Sequence, residues 1–376
     1  MRTFHILYTG DYLDESGEVA YGDIGLGLYE NLPHMEYDFI RDQAPPAGDS
    51  TYWSRLYSLQ IEPEHIAEAN GLIIFRPWLK ASAFAGGAEN LVVVGRAGAG
   101  YDKIDLDACT KNNVAVFNAP DTLTHSTASS ALLLMLALAK RLPEQEKMAH
   151  SGCWNYQAKI IGLDLEGMTL GIIGLGKTGM ELARLVQPFG MRILAYSPHA
   201  KKEQAEKLGI TLLDQIDTLF RQSDFVSLHN RLEKHNHGFI GEKHFRLMKP
   251  TAYFINVARG ELVQQEVLVQ CLREHWIAGA GLDVYQTEPL PAGDPLMKLD
   301  NVILTPHWLP STRQACYATG STVARGMIEA AQGRIPEHIL NPAVLTQPGF
   351  AAKLRRFEVN TLPDSPAPKT AKIKTR

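Results

Sequence analysis

Leu170-Gly171-Ile172-Ile173-Gly174-Leu175-Gly176-Lys177-Thr178-Gly179 is the stretch whose reading decides the fold. An apolar run from Met168 to Ile173 reads as a buried strand and runs into the spacing Gly174-x-Gly176-x-x-Gly179. A helical pattern then continues through Glu181, Leu182, Ala183, Leu185 and Val186 to Phe189, and Arg192 to Tyr196 reads as a second strand after Gly190. Strand, glycine turn and helix in this order have a chemical reason. The first glycine allows the tight turn, the second lets a pyrophosphate approach the backbone, and the third lets helix and strand pack closely. The phosphates then sit on the unpaired N–H groups at the helix start. The reading is therefore a dinucleotide site formed by Gly174, Leu175, Gly176, Lys177, Thr178 and Gly179.

On either side of this unit, after an opening strand in Met1 to Tyr8, short apolar runs alternate with helical stretches: Leu72 to Phe75, Leu91 to Val94 and Val114 to Phe117 before it, then Asp224 to Leu228, Ala252 to Val257, Gly279 to Val284 and Asn301 to Leu304 after it. Such alternation predicts parallel sheets in an α/β protein, with about six strands in the doubly wound unit. A polar segment, Asn118 to Thr127, opens an apolar helix that runs to Ala139. A helix so apolar all round must be buried on more than one side, deep in one chain or against a second subunit. From Pro363 the chain is rich in Pro, Lys and Thr, and residues 350–376 are expected to form a disordered tail.

Composition bounds the function. The 376 residues suffice for two cores. A net charge of −4 gives no nucleic-acid footprint and favours a small-molecule ligand. The four cysteines are widely spaced, without a Cys-x-x-Cys pair, so neither a metal site nor a disulfide framework is expected, and a cytoplasmic setting fits. The first residues read as a strand rather than a signal peptide, and the longest apolar run, Ala131 to Ala139, is too short to span a membrane.

In an open parallel sheet, ligands gather where strands end. Ala258-Arg259-Gly260 follows one predicted strand, Tyr285-Gln286-Thr287-Glu288-Pro289 another, and Thr305-Pro306-His307 a third. An arginine fork binds a carboxylate through two parallel hydrogen bonds. A histidine passes a proton near neutral pH, and a glutamate beside it orients the ring and stabilises its charged form. Each residue also has a plainer reading, as a surface ion pair, a solvated loop charge or a buried structural histidine.

Five ordered motifs together resemble the D-isomer-specific 2-hydroxyacid dehydrogenases over about residues 70–345: Arg96-Ala97-Gly98-Ala99-Gly100-Tyr101-Asp102, the glycine turn, Asn256-Val257-Ala258-Arg259-Gly260, Gly281-Leu282-Asp283-Val284 with Glu288-Pro289, and Thr305-Pro306-His307. The resemblance implies two Rossmann-like doubly wound domains. Residues 1–118 plus 310–345 form a split substrate-binding domain, and residues 119–309 an inserted NAD(P)-binding domain. It further implies a hydride transfer between NAD(P)H and C2 of a small 2-oxo acid, with Arg259, Glu288 and His307 as catalytic residues. The turn Gly98, Ala99 and Gly100 then meets the substrate carboxylate, Asp283 lies near the nicotinamide amide, and the apolar helix lies in a homodimer interface. Formate is disfavoured because Glu288 stands where formate dehydrogenases carry glutamine. An NAD(H)-sensing co-repressor and a phosphite-type dehydrogenase remain alternatives.

Several positions depart from the pattern. Ser197 stands where NAD enzymes place a carboxylate about 20 residues past the glycines, and Lys201 and Lys202 follow it, so the coenzyme is NAD or NADP. His229, Val257, Ala258 and His307 complete the expected coenzyme surface. Arg231 either lines the adenosine pocket or faces water. Trp308 either narrows the substrate pocket or packs domains together. Arg76 either meets a second polar group of the substrate or makes an interlobe ion pair.

Overall fold

The structure, a computed structural model, describes residues 2–49 and 51–358. Two wholly parallel sheets carry the strands. The first contains β1 (Phe4–Tyr8), β2 (Met35–Phe39), β3 (Gly71–Ile74), β4 (Val93–Arg96) and β5 (Ala115–Asn118) in the order β2-β1-β3-β4-β5. The second contains β6 (Thr169–Ile173), β7 (Arg192–Tyr196), β8 (Ile210–Leu212), β9 (Phe225–Leu228), β10 (Tyr253–Asn256), β11 (Gly279–Leu282) and β12 (Val302–Leu304) in the order β12-β11-β10-β9-β6-β7-β8. Both are doubly wound orders, which reverse beside β1 and beside β6. Residues of β3, β5, β6, β9 and β11 are buried throughout, because helices cover both faces of each sheet.

The second sheet has seven strands rather than about six. The strand missed is β8, only three residues long, at the sheet edge and with Thr211 exposed, so it lacks a continuous apolar run. The apolar helix is Thr124–Ala139. It lies against helix Lys177–Val186 and against β10 and β11, where Leu134 approaches Gly281.

Helix Arg313–Ala331 returns the chain to the first sheet. Met327 reaches the faces of Gly71 in β3 and Gly95 in β4, where any added Cβ would collide with it or crowd it. The expected tail is corrected for residues 350–358. Pro348–Arg355 forms a helix whose Phe350 and Leu354, with Phe357 beyond it, are buried in the core of the first sheet. Lys353 donates to the carbonyls of Ala88, Leu91 and Asn112 at 2.6, 3.0 and 2.7 Å, which fastens this helix to the first lobe. A buried lysine satisfied by three carbonyls is invisible to a composition argument. Residues 359–376, the rest of the expected tail, lie outside the described residues.

Candidate active site

The glycine turn leaves β6 at the point where the second sheet reverses, between β9 and β7. Gly174 has φ +92°, and a Cβ on it would stand 2.9 Å from the backbone of His229 and Asn230 beyond β9. Gly176 faces open space. A Cβ on Gly179 would stand 2.3 Å from the Gly174 carbonyl, so the first turn of helix Lys177–Val186 can close on the strand only with glycine there. Turn, open approach and close packing thus fall on the three glycines in the order a diphosphate requires.

Leu175 is buried beneath the turn, and Lys177 forms an ion pair with Asp121. Ser197 is half-buried just past β7, with Lys202 exposed and 3.8 Å from Glu206. His229 bonds Ser227 through Nε2 at 2.8 Å, and burial pushes its pKa down to about 4, so the ring is neutral. Its Nδ1 and the Oδ1 of Asn230 are buried and have no protein partner, as expected of polar groups held for a ligand.

Three neighbouring strands, β10, β11 and β12, bring the candidate chemistry to the same rim. At the end of β10 the Asn256 side chain accepts from the Ala258 N–H and donates to the Arg259 carbonyl, both at 3.0 Å, fixing the bend that turns Arg259 out of the sheet. Val257 is buried in that bend. Arg259 Nε and Nη2 donate to Asp102 Oδ1 at 3.2 and 3.1 Å, and Nη1 donates to the Ala258 carbonyl at 2.8 Å. Burial would raise the Asp102 pKa, but the charge of Arg259 holds it below the ordinary value.

His307 follows β12 in the left-handed region, φ +54°, a strained conformation that aims the ring at Glu288. Its Nδ1 lies 2.7 Å from Glu288 Oε2, while Oε1 accepts from the Tyr285 N–H at 3.1 Å. Burial acts to raise the Glu288 pKa, and the hydrogen bond and charge of His307 outweigh it, so the carboxyl stays below its usual range. Asp283 uses Oδ1 to hold the loop that carries His307, accepting from Thr305 Oγ1 at 2.7 Å and from the N–H groups of Trp308 and Leu309 at 3.1 and 3.4 Å.

The first lobe supplies the facing wall. The turn after β4 has Gly98 at φ +133°, and the Ala99 carbonyl accepts from Asn118 at 2.8 Å. A Cβ on Gly100 would stand 1.8 Å from Arg259 Nη2, so the guanidinium lies directly on this turn. Tyr57 stacks on the His307 ring at 6.3 Å, and its carbonyl accepts from Trp78 Nε1 and Lys103 Nζ at 3.0 and 3.1 Å. Burial pushes the Lys103 pKa down to about 8.

Three residues left open by the sequence have definite contacts. Arg231 is exposed, and its Nη1 donates to the Tyr101 hydroxyl at 3.2 Å with the guanidinium 5.3 Å from that ring, a contact between the lobes. Trp308 packs on Tyr21 and Phe75 of the first lobe, with centroids 5.3 and 6.2 Å away. Arg76 makes its ion pair inside its own lobe, with Asp11, rather than between lobes. Sequence reading missed Asp102 and Lys103, which stand inside or beside a quoted motif, and Asp11 and Tyr57, which carry no local signal. Among the described residues, no group of three or more His, Cys, Asp or Glu could hold a metal ion, and no helix is long and apolar enough to cross a membrane.

The arrangement places a guanidinium and a glutamate-paired imidazole at neighbouring strand ends, on the sheet that carries the glycine turn. The sequence profile of the "D-isomer specific 2-hydroxyacid dehydrogenase, NAD binding domain" family matches residues 132–308. The glyoxylate reductase of Korarchaeum cryptofilum is 36% identical over 330 residues, spanning 86% of this chain and 96% of that protein. The chain belongs to the D-isomer specific 2-hydroxyacid dehydrogenase family. The D-3-phosphoglycerate dehydrogenase of Archaeoglobus fulgidus is 37% identical over 305 residues, 81% of this dehydrogenase and 56% of that protein. A crystal structure of a Thermus thermophilus protein aligns with TM-score 0.76 and 29% identity, covering 90% of this chain and all of that one. The dehydrogenase is thus an oxidoreductase that transfers hydride between NAD(P)H and 2-oxo acids, with NAD or NADP as coenzyme.

Proposed function

We propose that this dehydrogenase reduces a small 2-oxo acid to the D-2-hydroxy acid, with Arg259, Glu288 and His307 as its catalytic residues. The observation that carries the reading is the His307–Glu288 pair at 2.7 Å on the rim that Arg259 shares. Arg259 and the N–H groups of the Gly98–Gly100 turn bind the substrate carboxylate, which takes the place on the guanidinium that Asp102 now holds. His307, its ring held through Nδ1 by Glu288, donates a proton from Nε2 to the oxygen at C2 as that oxygen gains negative charge. A bound nicotinamide coenzyme would be the source of the hydride. Residues 174–179, with glycines at 174, 176 and 179, hold the diphosphate, and Ser197, His229, Val257, Ala258 and Asp283 line the rest of the coenzyme cleft. Residues 2–118 with the C-terminal return, here extended to 358, form the substrate lobe.

Leu133, Leu142, Trp154 and Ile161, on and after the apolar helix, are large apolar side chains left exposed, which supports a homodimer that would cover them. The net charge of −4 supports an enzyme without nucleic-acid partners, and four widely spaced cysteines support a cytoplasmic one. Oxidation of NADH and NADPH, followed by absorbance with glyoxylate, hydroxypyruvate and pyruvate, tests the reading. Turnover with at least one acid is expected. Coenzyme binding without turnover on any acid would overturn it in favour of a sensor.

A further inference from the structure

Arg76 follows β3, and its backbone N–H and Nη1 both donate to Asp11 Oδ2, at 3.1 and 3.4 Å. Nη1 also donates to the Tyr21 hydroxyl at 3.1 Å. Four rings surround the guanidinium: Phe75 at 4.1 Å, Trp308 at 5.0 Å, Tyr21 at 5.5 Å and Tyr57 at 5.9 Å. Two of these rings belong to the immediate surroundings of the catalytic histidine. Trp308 is its neighbour in the chain, and Tyr57 stacks on its imidazole. Arg76 follows β3, the strand beside β4, so the caged arginine shares the first lobe's wall with the Gly98–Gly100 turn and meets His307 through Tyr57 and Trp308.

We infer that Arg76, held in this cage, closes the side-chain end of the substrate site, so that the enzyme accepts 2-oxo acids bearing hydrogen, methyl or hydroxymethyl at C2 and rejects branched or phosphorylated ones. The inference rests on the proposed reading of Arg259 and His307. With the carboxylate on Arg259 and the oxygen at C2 on His307, the remaining substituent points to Tyr57, Arg76 and Trp308. That wall does not give way easily. The Arg76 side chain is only 10% exposed, and the Asp11 side chain is 0% exposed. Swinging the arginine out to make room would leave a buried carboxylate without its cation, and Asp11 Oδ1 already lacks a protein partner. A phosphoryl group gains nothing there either, because Asp11 already neutralises the arginine and would repel the newcomer. Two rings of the cage, Tyr21 and Phe75, also line an apolar pocket with Tyr12, Ile24, Ala97 and Ala315.

The test compares kcat/KM for glyoxylate, pyruvate, 4-methyl-2-oxopentanoate and 3-phosphohydroxypyruvate. In the wild-type enzyme the last two are expected at least about 100-fold below the better of the first two, the discrimination expected of a closed pocket. Trp308→Ala opens the wall without stranding Asp11, and it should raise the 4-methyl-2-oxopentanoate to pyruvate ratio about tenfold or more. Wild-type kcat/KM for either large acid within tenfold of the small ones would overturn the inference and leave the dehydrogenase reading standing. Coenzyme binding without turnover on any of the four would overturn the reading beneath it.

Discussion

The molecule contains two glycine-rich turns, each directly after a buried parallel strand, and on the proposed reading they serve different anions. The turn after β6 leads at once into helix Lys177–Val186, so helix N–H groups and an open Gly176 face the same space. The turn after β4 leads into no helix until Leu106–Lys111, and what faces Gly100 is the Arg259 guanidinium from the other lobe. One offers backbone dipoles in a row, fit for a diphosphate. The other offers a concave turn beside a single fork, fit for a carboxylate. Similar local glycine content acquires its meaning from the element that follows and from the side chain brought opposite.

The contrast predicts separable damage. His307→Ala, on the carboxylate side, should lower kcat about 1,000-fold, the usual scale for a lost general acid, while coenzyme Kd by fluorescence changes less than about twofold. A parallel loss of coenzyme affinity would show that the two sites are not separable. Gly100→Ala must displace Arg259 and should lower kcat/KM for the oxo acid about 100-fold, again with coenzyme binding intact. An unchanged kcat/KM would remove Arg259 from the carboxylate site.

Gly179→Ala damages the other turn, since its Cβ would stand 2.3 Å from the Gly174 carbonyl. Coenzyme Kd should rise about tenfold or more and Tm should fall, from overpacking worth about 1–3 kcal/mol. Ser197→Asp adds the carboxylate this site lacks, and the ratio of kcat/KM for NADH over NADPH should rise about tenfold.

The smallest effect is on stability against pH. Glu288 is held below its ordinary 4.5, so its pairing with His307 contributes stability that is present above about 4.5 and lost as pH falls through the folded value. In acid unfolding monitored by fluorescence, Glu288→Gln should therefore lose less stability between pH 5 and 3 than the wild type. Equal losses would mean that the pair does not stabilise the folded enzyme.

The same contrast explains what the sequence disclosed. The glycine turn, Arg259, Glu288 and His307 were legible because each sits within a few residues of an apolar strand, and the strand end sets its position. Asp102 stands in a quoted motif, yet its pairing with Arg259 crosses 157 residues and arises only when the two sheet rims meet. Tyr57 and Asp11 lie far from any glycine signature, and Arg76 becomes a caged cation only when rings from residues 21, 57, 75 and 308 converge. Composition alone failed for residues 350–358, where the terminal helix is held by specific burial of Phe350 and by Lys353 on three carbonyls. Local chemistry is readable along the chain, whereas chemistry assembled between lobes is not.

The most direct test is a crystal structure with coenzyme and oxamate, a non-reducible analogue of a 2-oxo acid. The oxamate carboxylate is predicted on the N–H groups of Gly98–Gly100 and on Arg259, with the Arg259–Asp102 contact loosened, its adjacent oxygen on His307 Nε2, and the diphosphate over Gly176. A carboxylate bound elsewhere, with Arg259 still closed on Asp102, would contradict the assignment of the two turns.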